Sequence, residues 1–177
     1  METERLRFRK IDDGDFDNLK AIISDPETMK YYSKPYGDEG VNRWIRWCKD
    51  CYEKHSFGLL ALILKSSGEF IGDCGITMQN INGKAVYEIG YHINKKYHNM
   101  GYGSEASRYM RDFFFSNTEY DEVYSYMNAE NIPSRRLAEK NGMSLVEVYE
   151  DDGMTLTVYK ITRREWEALV SANKNNV

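Results

Sequence analysis

Glu88–Ala106 reads EIGYHINKKYHNMGYGSEA, and the identity of this stretch decides how the rest of the chain is understood. From Glu88 to Ile93 the residues alternate as in a strand; two lysines and His98-Asn99 follow, and Gly101-Tyr102-Gly103 leads directly into a helical pattern. Glycines just before a helix let backbone approach a ligand closely, and the helix start offers N–H groups with no intrahelical partner. Such a corner suits phosphate oxygens, because the N–H groups donate and the helix dipole favours negative charge. A phosphate-bearing ligand held beside the carboxylate of Glu88 is the expectation.

Downstream, Ala106, Tyr109, Met110, Phe113 and Phe114 mark one face of a helix running to about Asn117. Glu122–Met127 is an apolar strand, so the passage is strand–helix–strand and implies a parallel neighbour. Asn131-Ile132-Pro133-Ser134 opens another helix, with Asn as cap and Pro in the first turn, and Gly142 ends it. Leu145–Tyr149 and Met154–Ile161 form a hairpin through Asp152-Gly153. Thr162 and Glu165 then make a capping box for a terminal helix anchored by Trp166 and Leu169, with a tail from Asn173 that should fray.

Upstream, Leu59–Lys65, Glu69–Gln79 and Ala85–Ile93 read as three strands joined by Ser67-Gly68 and Asn82-Gly83 turns, an antiparallel meander. Before it lie a strand at Arg5–Ile11, a short helix over about 14–24, a further helical turn through Met29 and Tyr32, and a tyrosine-rich loop at 31–37. A longer helix follows, with Val41, Trp44, Ile45, Cys48 and Tyr52 on one face. The order β-α-α-β-β-β-α-β-α-β-β-α predicts an α+β fold with a mixed sheet. No repeat or low-complexity linker divides residues 1–177, so a single domain is expected.

Composition sets the limits. The chain has 177 residues, 41% hydrophobic and 29% charged, ordinary for a folded globular protein. No apolar run reaches the ~20 residues of a membrane span, and Met1–Arg5 is no signal peptide, so a cytoplasmic protein without membrane contact is expected. A net charge of −4 argues against nucleic acid and is compatible with a cationic acceptor. Cys48 and Cys51 form a lone C-x-x-C inside a helical pattern, lacking both the further ligands of a zinc site and the strand-to-helix position of a redox pair. They and Cys74 are expected to be buried or idle thiols, and no metal is required.

Gly101-x-Gly103-x-x-Ala106 satisfies a dinucleotide-binding pattern, with Asp121 twenty residues beyond. The context argues against it: Asn94–Met100 separate strand from glycines, Asp121 precedes the next strand, and an antiparallel meander leads into the corner. A Walker loop is excluded because no Lys-Ser/Thr pair follows.

The run EIGYHINKKYHNMGYGSEA, followed by NIPSRRLAEKNGM and the terminal VYKITRREWEAL, resembles the GNAT superfamily of N-acetyltransferases, most closely the branch of ribosomal-protein N-terminal acetyltransferases. The family pattern Gln/Arg-x-x-Gly-x-Gly/Ala falls on His98-Asn99-Met100-Gly101-Tyr102-Gly103. The resemblance covers nearly the whole chain and implies a mostly antiparallel twisted sheet, flanked by helices, with a parallel central strand pair. It implies acetyl-CoA as cosubstrate: the pyrophosphate on His98, Asn99, Gly101, Tyr102, Gly103 and Ser104, the pantetheine arm along backbone at Tyr91, His92 and Ile93, and Asn131 near the pantetheine or acetyl group. Two departures stand at the corner, His98 for the usual Gln or Arg and Asn99 where glycine is common.

Acetyl transfer to an amine requires a neutral amine, and an alkylammonium has a pKa of roughly 10. Glu88, on the strand before the corner, is the candidate base or amine-binding carboxylate. The tyrosine that many members use to protonate the leaving thiolate falls on Ala138, leaving the Ser134 hydroxyl as the candidate acid, with an ordinary first-turn role as its alternative. Cys74 has no adjacent base, so direct transfer without an acyl-enzyme is expected. Tyr31, Tyr32, Tyr36, Asp38 and Glu39 could receive an amine or simply pack as a surface loop. The partner implied is an amine, either a small molecule or a protein N-terminus, and the chain a monomer or homodimer. The rival function is a non-catalytic acyl-CoA-binding or sensing module.

Overall fold

The computed structural model describes residues 1–174. Seven strands form one sheet: β1 (Leu6–Lys10), β2 (Leu59–Leu64), β3 (Phe70–Ile81), β4 (Lys84–Ile93), β5 (Glu122–Asn128), β6 (Ser144–Asp151) and β7 (Met154–Thr162). Their order is β1-β2-β3-β4-β5-β7-β6, antiparallel throughout except for the parallel β4–β5 pair. This is the α+β mixed sheet expected from the sequence.

Local signals explain most joints. Asn82 and Gly83 both have positive φ (46° and 81°), as do Asp152 and Gly153 (46° and 73°), which is what a two-residue hairpin turn matched to strand twist requires. The LLALIL run of β2 is apolar on both faces because both are covered. Leu62 and Leu64 point into one core with Ala106, Met110 and Phe114 of helix α3 (Tyr102–Asn117). Leu59, Ala61 and Ile63 point into the other, with Leu19 and Ile22 of α1 (Phe16–Ile23) and Val41, Ile45 and Cys48 of α2 (Asp38–His55). Helix α4 (Ile132–Lys140) joins the α3 side through Ala138.

The helical turn expected after Pro26 is present as a single turn that does not extend into a helix, Met29 N donating to Asp25 O at 3.0 Å. Asp25 accepts from Thr28 N at 2.9 Å and Thr28 Oγ1 at 2.6 Å, and Tyr32 N donates to Met29 O at 2.9 Å. The Asp25 side chain caps this turn, accepting the Thr28 N–H as an N-cap residue does. Helix α5 (Arg163–Lys174) starts from the expected capping box, Thr162 N donating to Glu165 at 2.8 Å, and Trp166 stacks on Phe115 at 5.3 Å. Asn173 and Lys174 continue that helix, and the remainder of the tail expected to fray, 175–177, lies outside the described residues.

Candidate active site

Gly101, at φ 83°, turns the chain into α3 without any side-chain cap, and the first helical bond runs from Glu105 N to Gly101 O. The N–H groups of Tyr102, Gly103 and Ser104 therefore precede that ladder and point out of the helix end. Asn99 takes the left-handed conformation at φ 60°, a position asparagine tolerates and glycine would occupy freely. His98 does something the sequence did not indicate. Its Nε2 lies 2.8 Å from Ile93 O, and since a carbonyl only accepts, Nε2 carries the proton. The ring thus ties the corner to the end of β4.

A second brace comes from the N-terminal segment. Arg5 donates to Glu105 through Nε at 2.6 Å and to Met100 O at 3.0 Å, and its guanidinium covers the Tyr102 ring at 4.4 Å. Thr3 Oγ1 donates to Glu105 at 2.5 Å. The first turn of α3 is fixed by residues a hundred positions away, and nothing local in the sequence signals it.

The strand leading into the corner parts from its neighbour. β4 and β5 meet at a single bridge, Glu88 opposite Tyr124, and Ser125 Oγ donates to Ile89 O at 2.8 Å just beyond it. Ile89 and Ile93 both turn their carbonyls to side-chain donors on this edge, so the period of two directs the N–H and C=O of Tyr91 into the same gap. Gap and corner open into one cleft of about 720 Å³. Tyr91, His92, Ile93, His98, Asn99, Gly101, Tyr102, Gly103, Ser104, Asn131 and Ser134 all line it, which is every sequence-predicted site residue except Glu88. Lys30, Lys95, Arg136 and Lys140 also line it against one carboxylate, Glu27, so the wall is cationic in a chain of net charge −4. A smaller hollow of about 340 Å³ near Arg9 and Phe70 shares only Tyr97 with the cleft and holds none of these groups.

At the start of α4 the Asn131 side chain accepts from Ser134 N at 3.2 Å, the expected cap, which leaves the Ser134 hydroxyl free for other partners. Burial pushes the Tyr91 hydroxyl pKa up, and Ser134 is the side chain that opposes this. Ala138, where the family's tyrosine would stand, is 2% exposed and packs in the core, so no hydroxyl is supplied there.

Glu88 is buried on the α1–α2 face of β4. Thr77 Oγ1 donates to its carboxylate at 3.2 Å, and burial is the main reason its pKa is pushed up to about 7. Opposite and further along stand Asp73 and His92, joined by His92 N and Nδ1 to the same Asp73 oxygen at 3.0 and 2.9 Å. Sequence reasoning missed Asp73, although an aspartate within the apolar FIGDCGI strand signals a buried carboxylate in need of a partner.

The expected Tyr31–Glu39 cluster divides. Asp38 pairs with Lys20 at 2.6 Å and Glu39 with Arg43 at 3.0 Å, both on the surface, where such pairs contribute little to stability. Tyr36 is half-buried against Trp44 at 5.5 Å, while Tyr32 stays 45% exposed with its ring against His92 at 5.4 Å. Cys48, Cys51 and Cys74 are buried free thiols, and burial pushes all three pKa values up, away from the nucleophilic thiolate. Among the described residues no three His, Cys, Asp or Glu side chains converge to hold a metal ion, and no helix is long and apolar enough to cross a membrane.

Known proteins resemble this chain in sequence and in fold. The sequence profile of the acetyltransferase (GNAT) domain matches residues 5–144. A Bacillus licheniformis protein named "uncharacterized N-acetyltransferase p20" is 33% identical over 140 residues, 77% of this chain and 78% of the relative. Among solved structures, a GNAT-family acetyltransferase from Bacillus anthracis superposes with TM-score 0.78 at 25% identity, covering 92% of this chain and 98% of the other. Spermidine N-acetyltransferase from Vibrio cholerae, solved with CoA and spermine, shares the fold with TM-score 0.74 at 14% identity, covering 93% and 99%.

Proposed function

The chain belongs to the acetyltransferase (GNAT) family and is by that membership an acyltransferase, and from this premise we propose that it moves an acetyl group directly from acetyl-CoA to a primary amine. The observation that carries the proposal is the junction of two unsatisfied backbone surfaces in one cleft: the β4 edge beyond Ile89 and the uncapped start of α3. The first suits the amide-bearing pantetheine arm, the second a pyrophosphate, and both meet under a cationic wall. When bound, acetyl-CoA supplies the activated acyl thioester.

The chain's own groups take the remaining tasks. N–H groups of Gly101–Ser104 hold the phosphates, Lys30, Lys95, Arg136 and Lys140 add charge attraction, and the Tyr91 backbone N–H is placed to polarise the acyl oxygen. Ser134 delivers a proton toward the leaving sulfur in place of the tyrosine absent at Ala138. Glu88, buried below the acceptor end, presents a carboxylate that draws an ammonium in. The acceptor is a small amine, a polyamine or a protein N-terminus.

Calorimetric titration with acetyl-CoA, followed by thiol release across a panel of amines and N-terminal peptides, tests the proposal. Saturable binding with turnover of at least one amine supports it. Binding with no turnover on any member identifies the rival, a non-catalytic acyl-CoA sensor.

A further inference from the structure

The site holds a second acid–base device besides Glu88. Asp73 is fully buried on β3, and among the described residues its only ion-pair partner is His92 of β4. Asp73 Oδ1 accepts twice from that residue, from the backbone N–H and from Nδ1. An ionised carboxylate cannot donate, so Nδ1 carries a proton, and in the neutral form of the ring Nε2 holds the lone pair. Nε2 is buried and has no hydrogen-bond partner. The ring is held on two sides, by Tyr32 from the α1–α2 loop at 5.4 Å and by Trp44 of α2 edge-on at 5.3 Å. An unpartnered buried nitrogen costs free energy, and a position that keeps one beside a ligand cleft calls for a chemical reason.

The position supplies one. His92 lines the cleft between Tyr91 and Ile93, the residues flanking the open β4 edge, whereas Glu88 does not line it. Along the same face of β4 run Glu88, Gly90 and His92, and the glycine keeps a passage clear: a Cβ there would come within 2.9 Å of Glu88 Oε2. A carboxylate that attracts an ammonium thus sits on the same strand face as an imidazole with a free lone pair.

We infer that His92, oriented by Asp73, is the general base that takes the proton from the acceptor amine, while the ionised form of Glu88 attracts the ammonium from behind the cleft wall. The inference rests on the acetyltransferase reading. In the step, the ammonium gives one proton to His92 Nε2 and, its lone pair freed, the nitrogen bonds to the thioester carbon. The carbon–sulfur bond breaks, the thiolate takes the Ser134 hydroxyl proton, and the second proton lost by the nitrogen restores the Ser134 hydroxyl. His92 then returns its proton to solvent. The groups facing the ring are Asp73 from β3, with the Cys48 thiol of α2 behind it, Glu88 from its own strand and the Tyr32 hydroxyl from the loop; Trp44 is uncharged, and Lys30 and Lys95 lie farther out on the cleft wall. Asp73 and Glu88 both favour the protonated ring and outweigh its burial, so the base is stronger than an ordinary imidazole.

The test is the pH profile of kcat/KM with acetyl-CoA and a panel of spermidine, benzylamine and a Ser-Ala peptide. The expected acidic limb has its midpoint above 6.5, the ordinary imidazole value. His92→Gln should lose about 100-fold or more in kcat at neutral pH with the KM for acetyl-CoA unchanged. Asp73→Asn, which keeps the imidazole and guards against a His92 variant that fails to fold, should move the limb to lower pH, a shift a merely structural role would not produce. Activity of His92→Gln within fivefold of the parent overturns the inference, as does a limb that Asp73→Asn leaves in place. If the parent binds CoA and turns over none of the three amines, the acetyltransferase reading falls and the base assignment with it. Turnover that survives loss of His92 removes the base assignment alone.

Discussion

Arg5 and Glu105, a hundred residues apart, form an ion pair at 2.6 Å that pins the first strand to the first turn of α3. Glu105 also accepts from Arg5 N at 3.0 Å and from Thr3, so one carboxylate gathers the N-terminal segment onto the phosphate corner. These contacts with Arg5 and Thr3 hold the Glu105 carboxyl below the usual range, despite the opposing effect of burial. Glu105→Ala should therefore lower stability by about 1–2 kcal/mol, the magnitude of hydrogen bonds to a charged group with one exposed partner. It should raise the KM for acetyl-CoA several-fold with little effect on kcat, measured by thermal melting and initial rates.

The corner residues separate strain from contact. Asn99 stands at φ 60°, so Asn99→Val should cost about 1–2 kcal/mol through left-handed backbone alone, and Asn99→Gly should be neutral or stabilising. Gly101→Ala adds the same strain and a methyl 3.3 Å from the Arg5 guanidinium, and should weaken CoA binding as well as the fold. Paired melting and calorimetry on these three variants separate the two effects.

Ser134 and Asn131 act through different atoms. Asn131→Ala removes the α4 cap and should cost about 1 kcal/mol of stability. Ser134→Ala leaves that cap intact, since the bond uses the Ser134 N–H, so it should lower kcat by about tenfold or more with melting temperature nearly unchanged. Equal kcat for Ser134→Ala and the parent would assign the leaving-group proton to solvent or to the neighbouring Tyr91 hydroxyl.

Glu88 makes stability depend on pH with a definite sign. Its pKa is pushed from 4.5 to about 7, chiefly by burial, so between those values the unfolded chain has lost a proton the folded one keeps. The stability it contributes is full below 4.5 and falls as pH rises through about 7. Glu88→Gln removes this dependence, so the variant should gain on the parent between pH 5 and 8 by up to about 3 kcal/mol. Urea titrations at the two pH values check it, and an unchanged difference would refute the burial assignment.

Signals confined to a few residues were legible in the sequence, and signals made by distant ones were not. Asn82-Gly83 and Asp152-Gly153 disclosed their hairpins because a turn's backbone demand lies in the turn itself. Gly101, Asn131 and Thr162 disclosed helix starts for the same reason. The cationic wall of Lys30, Lys95, Arg136 and Lys140 was invisible, since its members come from three separate segments of a chain with a net negative charge. His92 was read only as backbone beside the cofactor, because its side-chain role depends on Asp73 nineteen residues away. His98 was read among the phosphate contacts, and the bond from its imidazole to Ile93 O was not foreseen.

The single bridge between β4 and β5 has a wider consequence. An unpaired strand edge at the periphery of a protein is a template for any passing chain and a hazard for aggregation. Here the open edge lies in the interior of a seven-stranded sheet, with β5 on its far side and Ser125 closing the inner end. Its hydrogen-bonding capacity is kept from other proteins while remaining available to a slender amide-bearing arm that threads between the strands. Such an arm would act as an eighth, removable strand, so saturation with CoA should slow amide hydrogen exchange at Tyr91 and stiffen the seam between the two halves of the sheet.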